Sequence, residues 1–525
     1  MTVRQTGLVY RKLRAPRTHG SRLVDPFISD FQRLWAENRQ LIANRPGQLA
    51  GKSWPVLLNE AREELWQITG RDGPPSQHDG QPLPVVMTGH QPELFHPGVW
   101  FKNFLVDHLA RQVGSVGVHV VMDNDVAKQP AVHVPVRRAD GQWHTQRLAF
   151  DAPRELVAYE EHRPVDRQTF DSFGERVCET IAPLVPNPLL ERFWPAVVRD
   201  VDRGLSVGDS FVAARSELER EWGVDLQVVQ MSRLSATRSF ANLVFHLFEQ
   251  ADKFRDVHNQ VLAHYRRIHR IRTALQPIPD LRQKGDWIEL PCWVWTIDEP
   301  DRRHLYVRKS AQSLELSDLG GFNETLTCGE ASGQIDQWQS FCERGIKIRP
   351  RALLATMYFR LFLCDWFVHG IGGAKYDQIT DEIVRKFFGI TPPTFQVASS
   401  THHLSIRHAH VSEQDLRVLD KHLRDLKFHP EICAPKSEVA SILADEKKFW
   451  TAGQWATEHS AARRHREITR INDSFQRLVQ PLRTKILSER GRLLADQASC
   501  RVLESREYSF CLFPDKQLRN ELVVG

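Results

Sequence analysis

The sequence predicts an α/β protein built on a doubly wound sheet, with helical insertions and a C-terminal helical arm. Three observations predict it. Val85-Val86-Met87 and Gly117-Val118-His119-Val120-Val121-Met122 are short apolar runs, and each ends in polar residues, Thr88-Gly89 and Asp123-Asn124-Asp125. Between them, Gly98 to Gln112 has helical periodicity through Phe101, Phe104, Leu105 and Leu109. Strand, turn, helix, strand is the opening of a doubly wound sheet, whose ligands bind at the carboxyl ends of the strands. Third, Ile468, Ile471, Phe475, Leu478, Leu482 and Ile486 step by three or four residues, a coiled-coil-like seam.

Taken in order, residues 1–80 read as a helical segment. Asp25-Pro26 opens one helix, carried by Phe27, Phe31, Leu34, Trp35 and Leu41, and Ser53 precedes a second through Leu58, Leu65 and Ile68. Gly70 to Pro84 is a loop by its Gly, Pro, Asp and Gln content. Residues 81–410 form the core, with a helical insertion from about 166 to 276 broken by a strand at Leu226–Gln230. Trp287–Ile297 and His304–Val307 alternate as a hairpin around Asp298-Glu299-Pro300-Asp301. Residues 350–388 read as two helices split by His369-Gly370-Ile371-Gly372-Gly373, with no strand before the glycines. Residues 411–525 form the helical arm and tail. Pro481 is expected to kink or break the arm, which packs on itself or on a second subunit as a homodimer.

Composition narrows the function classes. With 525 residues the chain is too long for one simple core, and 41% hydrophobic with 26% charged residues is the mix of an ordered globular protein. The net charge of +5, from 70 basic against 65 acidic residues, singles out no polyanionic partner. The basic run Arg463-Arg464-His465-Arg466 has no interleaved aromatic residues and reads as a solvated helix face, so no nucleic acid is expected. The eight cysteines, at 178, 292, 328, 342, 364, 433, 500 and 511, form no CxxC pair, which fits reduced thiols in a cytoplasm. Met1 to Pro26 holds no signal-peptide core, and Ala352 to Gly373, interrupted by Arg360, Asp365 and His369, reads as a buried helix rather than a membrane span.

Three constellations could carry chemistry. The turn Thr88-Gly89-His90-Gln91-Pro92 leads into a helix, whose free N–H groups suit phosphate. Gly89 allows close backbone approach, His90 and Gln91 add polar side chains, and Lys102, one turn into the helix, could reach a phosphate or carboxylate. The same His and Gln could cap the helix, but two His, a Gln and a Lys in one such turn exceed what capping requires. Asp123, Asn124 and Asp125 could orient a ribose, hold Mg²⁺, act as acid and base, or cap a strand end. His369 to Asp377 contains Gly370, Gly372 and Gly373 ahead of a helix, with Tyr376 and Asp377 beyond. That is either an anion-cradling nest or a flexible joint. Upstream, Arg349-Pro350-Arg351 offers guanidinium forks for carboxylate or phosphate. His402, His403, His408 and His410 carry little metal signal, because adjacent histidines on a strand face opposite ways.

TGHQPELF resembles the TGQQ-x-GLF motif of the bacillithiol-synthesis cysteine-adding enzymes, and MDND resembles that family's acidic strand end. IRPRALLATMYFRLFLCDWFVHGIGGAKYD is similar to their LRP…GGPxE segment in order and spacing. The resemblance implies a Rossmann-like core of the HIGH-motif nucleotidyltransferase type with helical insertions, a dimerising coiled coil, binding of a nucleotide such as ATP or ADP, and ligation of cysteine to a glucosaminyl-malate acceptor. The broader reading is of an amino acid joined to a small amine or sugar acceptor. Gly89 and Gln91 match the first motif, with His90 in place of a Gln. Asp123 and Asp125 approximate the acidic end, and Gly372-Gly373 match the glycine pair, followed by Ala374 and Lys375 where the family has Pro and Glu. QPELFHPGVWFK also resembles WbqC-like proteins. The expectation is a ligase-type enzyme with His90, Asp123 and Asp125 in catalysis. Thr88, Gly89, Gln91, Lys102, Asn124, Arg349, Gly370, Gly372, Gly373, Tyr376 and Asp377 would hold a small-molecule substrate or nucleotide. The alternative is a non-catalytic nucleotide- or sugar-binding protein, or a WbqC-like sugar-modifying enzyme.

Overall fold

The computed structural model describes residues 8, 10, 13–70, 83–127, 129–154, 156–310, 313–327, 331–408, 412–453 and 458–524. Most of the loop expected at 70–84, and also Cys328 and His410, lie outside the described residues. The chain divides into two compact units, one of Met1–Val134, Arg147–His403 and Arg506–Gly525, the other of Pro135–Gln146 and Leu404–Ser505.

In the first unit, β1 (Arg22–Asp25) precedes α1 (Phe31–Ala43) and α2 (Trp54–Thr69). Then come β2 (Val85–His90), α3 (Pro97–Gln112), β3 (Val116–Val121) and a helical stretch ending in α4 (Val207–Glu221). After β4 (Gln227–Gln230), α5 (Arg238–Glu249) and α6 (Ala251–His269), five strands follow: β5 (Trp287–Thr296), β6 (Arg303–Lys309), β7 (Ser313–Ser317), β8 (Asn323–Thr327) and β9 (Ile346–Pro350). The unit continues with α7 (Ala352–Tyr358), β10 (Trp366–His369), α8 (Ile371–Ile383) and β11 (Gln396–Ser400).

Local chemistry places these boundaries. Ser53 stands at the N-cap of α2, Pro55 sits in its first turn, and Gly70 ends it in the left-handed region at φ 72°. The His96 side chain accepts from Gly98 N at the start of α3, and the Thr237 hydroxyl caps α5. Val85, Val86 and Met87 are buried on both faces, as parallel central strands require.

The main sheet has the order β1-β11-β10-β2-β3-β4, parallel throughout except for β1, which runs antiparallel along β11. The chain steps outward from β2 to β3 to β4, then returns to lay β10 and β11 on the other side of β2. The direction therefore reverses between β2 and β10, whose ends are His90 and His369. The second sheet is antiparallel, β8-β7-β6-β5-β9, with a register shift in β5 between Glu289 and Trp293.

The structure corrects the sequence expectations at several points. Thr88, Gly89 and His90 belong to β2, so the turn begins at Gln91. A strand does precede the glycine segment: Trp366–His369 pairs with β2 in register Val368↔Thr88. The expected continuous helix breaks because α7 runs into a π-helical turn over Phe359–Leu363 and stops at Cys364. Its freed carbonyls are taken by residues far upstream: Arg45 Nη1 donates to Leu361 O at 2.7 Å and Arg62 Nε to Leu363 O at 3.0 Å. Asp365 then ties the new strand to β2. Its N–H donates to Val85 O at 2.9 Å, while its Oδ2 accepts from Val85 N at 2.8 Å and from Arg62 Nη2 at 2.6 Å. The described residues from Leu13 to Gly70 are thus part of the core unit rather than a separate segment. The first helix begins at Phe31, after a 3-10 turn at Ile28–Asp30, and not at Asp25-Pro26.

The second unit contains α9 (Glu413–Phe428), α10 (Glu438–Ala452) and α11 (Glu458–Leu503). α11 runs unbroken through Pro481. Its seam packs within the chain: Ile471 and Phe475 bury against Ala440, and Val479 and Ile486 against Leu419 and Leu426, while Leu482 faces out. The unit ends at Ser505, and the tail beyond it returns to the core. Among the described residues no helix is long and apolar enough to cross a membrane, and every cysteine is a free thiol.

Arg62 and Asp365 are both almost fully buried. Asp365→Ala strands the guanidinium without its carboxylate, and the expected loss is about 3–5 kcal/mol, read as a fall in the urea midpoint. An unchanged midpoint would contradict the anchoring role given to this pair.

Candidate functional site

A cavity of about 330 Å³ opens at the carboxyl ends of β2 and β3. Gln91, Asn124 and Asp125 line it from the parallel sheet, and Trp293, Arg302 and Arg351 line it from the antiparallel sheet. Met122, Ile278, Leu281, Pro291 and Leu353 supply apolar wall, with His258 at one side. An apolar wall with a few convergent polar groups is the usual build of a small-molecule site.

The polar groups hold one another in place. Gln91 Nε2 donates to Asp125 Oδ2 at 3.0 Å. Arg302 Nη1 donates to Asp125 Oδ1 at 3.2 Å and to Asn124 O at 2.7 Å, and Asn124 Nδ2 donates to Pro350 O at 2.8 Å. The guanidinium groups of Arg302 and Arg351 lie over the Trp293 ring at 4.7 and 5.2 Å. Arg351 Nη1 donates to Glu289 Oε1 at 2.7 Å. Burial would raise the Glu289 carboxyl, but the His304 hydrogen bond and the Arg351 charge bring it down to about 2. Arg302 keeps one buried N–H, at Nε, without a partner. Burial pushes His258 down to about 4, so it faces the cavity uncharged.

Asp123 and Arg349 are turned away from this cavity. Asp123 Oδ1 accepts from Ser232 N at 2.9 Å and Oδ2 from the Ser232 hydroxyl. Burial, and then the neighbouring Glu160, push its carboxyl upward. Arg349 forks onto Glu160 at 2.9 and 3.0 Å and lies over Trp295 at 5.6 Å. Arg351, two residues on, has the position expected of Arg349, because β9 ends at Pro350 and Arg351 N donates to Pro291 O in the wall, at 2.8 Å.

The other candidates meet where the sheet reverses. Thr88 spends its hydroxyl on Val368 O at 2.8 Å, a link within the sheet. A Cβ on Gly89 would stand 3.2 Å from Val120 O, a tight contact within the sheet. Lys102 Nζ donates to Gly89 O at 3.0 Å, and its side chain runs past Gly370, close to where a Cβ there would stand. Burial, reinforced by Arg215, pushes its amine down to about 7. His90 donates from Nδ1 to Gln91 O at 3.0 Å, stacks near His119 at 4.3 Å, and keeps a buried Nε2 without a partner. Burial, Lys102 and Arg215 together hold its pKa far down, so the ring is neutral.

The glycine segment forms the first turn of α8, with Gly370 as N-cap. Asp377 is buried and accepts from His369 Nε2 at 2.5 Å and Arg360 Nη1 at 2.7 Å. Tyr376 packs on the apolar core instead. Thus Gln91, Asn124 and Asp125 share the cavity, Gly89, Lys102 and Gly370 share the reversal point, and Asp123, Arg349 and Tyr376 join neither. Sequence reasoning left out Trp293, Arg302, His258 and Arg360. Arg302 follows the recognised hairpin turn, but only the tertiary fold brings it to Asp125, 177 residues away. Among the described residues no cluster of three or more His, Cys, Asp or Glu side chains could hold a metal ion. His402, the best placed of the histidines, is held between Glu521 and the Ser400 hydroxyl at 2.6 and 2.8 Å.

The buried amine gives a pH signature. The folded-state pKa of Lys102 is about 7 against an ordinary 10.5, so between those values the unfolded chain binds the extra proton. The penalty is therefore complete below pH 7, and stability recovers as pH rises toward 10.5. Lys102→Met is expected to raise stability by about 1–3 kcal/mol at pH 6. Its advantage over the parent should shrink in denaturant titrations at pH 9–10, and a pH-independent difference would refute the buried ammonium.

No family model matches the chain, and no curated protein matches it.

Proposed function

We propose that the protein is a cytoplasmic ligase-type enzyme, joining an amino acid such as cysteine to a small amine or sugar acceptor, with a carboxylate- or phosphate-bearing substrate in the Arg302–Arg351 cavity. The observation that carries this reading is the pair of guanidinium groups fixed over Trp293, one with an unpartnered buried N–H, beside the Gln91–Asp125 pair. Guanidinium forks match carboxylate and phosphate oxygens, and Asp125 supplies a carboxylate for an ammonium or hydroxyl on the same substrate.

The fold supports the same reading. Renumbered by chain order, the parallel strands run 3-2-1-4-5, the order of dinucleotide-binding sheets, with the cavity beside the reversal point. A Rossmann-like core of the HIGH-motif type is the finer proposal, with ATP or ADP as co-substrate and the helical unit as a dimerising coiled coil. A second reading, a non-catalytic nucleotide- or sugar-binding protein, is favoured by the engagement of Asp123 with Ser232 and of Lys102 with Gly89, which takes two expected active groups out of play.

Calorimetry with L-malate, L-cysteine, ATP and ADP tests the cavity. At least one is expected to bind, and Arg302→Ala or Arg351→Ala should weaken it by about 10- to 100-fold. Mass spectrometry after incubation with cysteine, glucosamine and ATP tests the ligation. A product at the summed mass less one water supports the enzyme, whereas binding without any product supports the second reading. No binding by any of the four removes the site.

A further inference from the structure

One imidazole of the cavity wall has its proton placed by its neighbours. His258 stands on α6, is almost fully buried, and lines the Arg302–Arg351 cavity. The next residue, Asn259, grips the Leu281 backbone with both ends of its amide: Nδ2 donates to Leu281 O and Oδ1 accepts from Leu281 N, each at 2.9 Å. That reciprocal pair fixes which end is oxygen, because the flipped amide would set N–H against N–H and oxygen against oxygen. His258 Nδ1 lies 3.2 Å from the same Oδ1, and an amide oxygen only accepts. The imidazole proton is therefore on Nδ1, and Nε2 carries the lone pair.

Nε2 has no hydrogen-bond partner among the described residues, yet it is not sealed inside the protein, so its lone pair opens on the cavity that the ring lines. Burial keeps the ring neutral, pushing its pKa down to about 4. The same cavity holds a second uncharged acceptor. Asn124 Nδ2 is committed to Pro350 O at 2.8 Å, which leaves Oδ1 buried and without a partner. Asp125, by contrast, already accepts from Val126 N, Arg302 and Gln91. The cavity thus offers charged donors from two guanidinium groups and neutral acceptors from His258 and Asn124. A bare anion answers only the first and leaves buried acceptors unmet, at a cost to binding. An ammonium would meet the Arg351 charge, which already opposes a second proton on His258, so the donor suited to this lone pair is a hydroxyl.

We propose that the cavity selects small anions that also carry a hydroxyl, with the carboxylate or phosphate on Arg302 and Arg351 and the hydroxyl donating to His258 Nε2. His258 is a specificity-determining residue, and Asn259 is the positioning residue that holds its tautomer. A volume of about 330 Å³ suits a molecule of this size. The assignment rests on the reading of the cavity as a substrate site and narrows its ligand to hydroxy acids and hydroxylated phosphate esters. A site built around such a hydrogen bond rejects the analogue that lacks the hydroxyl more strongly than an apolar pocket rejects a missing methylene.

Matched probes test it: L-malate against succinate, and glycerol 3-phosphate against propyl phosphate, each pair differing by hydroxyl groups alone. Calorimetry is expected to show the hydroxylated member of at least one pair binding about 10-fold more tightly or better. In protein labelled with ¹⁵N-histidine, with the His258 signals assigned by their loss in His258→Phe, the free ring should show the Nδ1–H tautomer, and the same probe should shift Nε2 saturably. In His258→Phe the preference should fall toward parity while the bare anion still binds; the wild-type titration decides the matter if that variant folds poorly. An Nε2–H tautomer, or an Nε2 resonance that no hydroxylated probe moves, overturns the assignment. Equal binding within both pairs keeps the Arg302–Arg351 cavity and removes only the hydroxyl subsite. No binding by any of the four probes removes the subsite, and L-cysteine and the nucleotides then decide whether the cavity falls with it.

Discussion

The fold hinges on the buried ion pair between Arg62 and Asp365. Its carboxylate is the point at which an apolar helix becomes a strand, and the same oxygen that accepts from Arg62 also accepts from the first N–H of β2. That anchor, with the Thr88 hydroxyl on Val368 O further along, fixes the register of Trp366–His369 against β2, and without β10 there is no reversal of strand order. The neighbouring carbonyls of Leu361 and Leu363 are likewise held by Arg45 and Arg62. Removing one member costs far more than the pair contributes over an apolar substitute. The arrangement therefore acts chiefly as a specification of register.

From that register follows the electrostatic character of the crevice. Lys102, His90, His119 and Arg215 are all buried near the strand ends, and Glu219 is the carboxylate that pairs with Arg215, at 3.5 Å. Burial resolves the excess of cations by neutralisation: both histidines are driven far below their usual range and the lysine to about 7. The fixed charge that survives is concentrated in guanidinium groups, which stay protonated throughout. At the strand ends a buried guanidinium thus stands beside neutral imidazoles, while the cavity proper carries its charge on Arg302 and Arg351.

Much of this was legible from residue patterns. The strands at 85 and 116, the helix between them, the hairpin near 298 and the capped helices all follow from local periodicity and turn chemistry, and the structure contains each. Gln91, Asn124 and Asp125 could be picked out because strand ends in such sheets are predictable places for ligands. What stayed hidden depended on distance. Trp366–His369 is four buried residues following a helix, and at that length an apolar strand and a helix look alike. β1 and β11 have only four and five residues, and their pairing spans most of the chain. The choice between Arg349 and Arg351 turned on where β9 stops, and that between Asp123 and Asp125 on which one Ser232 captures.

The returning tail bears on how the molecule is made. Phe510 lies in the core, its ring 4.6 Å from Trp100 and 5.3 Å from Phe193, and Phe510 N donates to Phe95 O at 2.8 Å. Arg22 of β1 donates to Glu521 O and Val523 O at 2.9 and 3.0 Å. During synthesis the parallel sheet must therefore wait, with an open apolar face beside α3, until the whole helical unit has left the ribosome. Contacts of such long sequence separation are slow to form and leave sticky surface exposed meanwhile. The nascent chain thus carries, until its last residues are made, apolar surface that the finished protein covers.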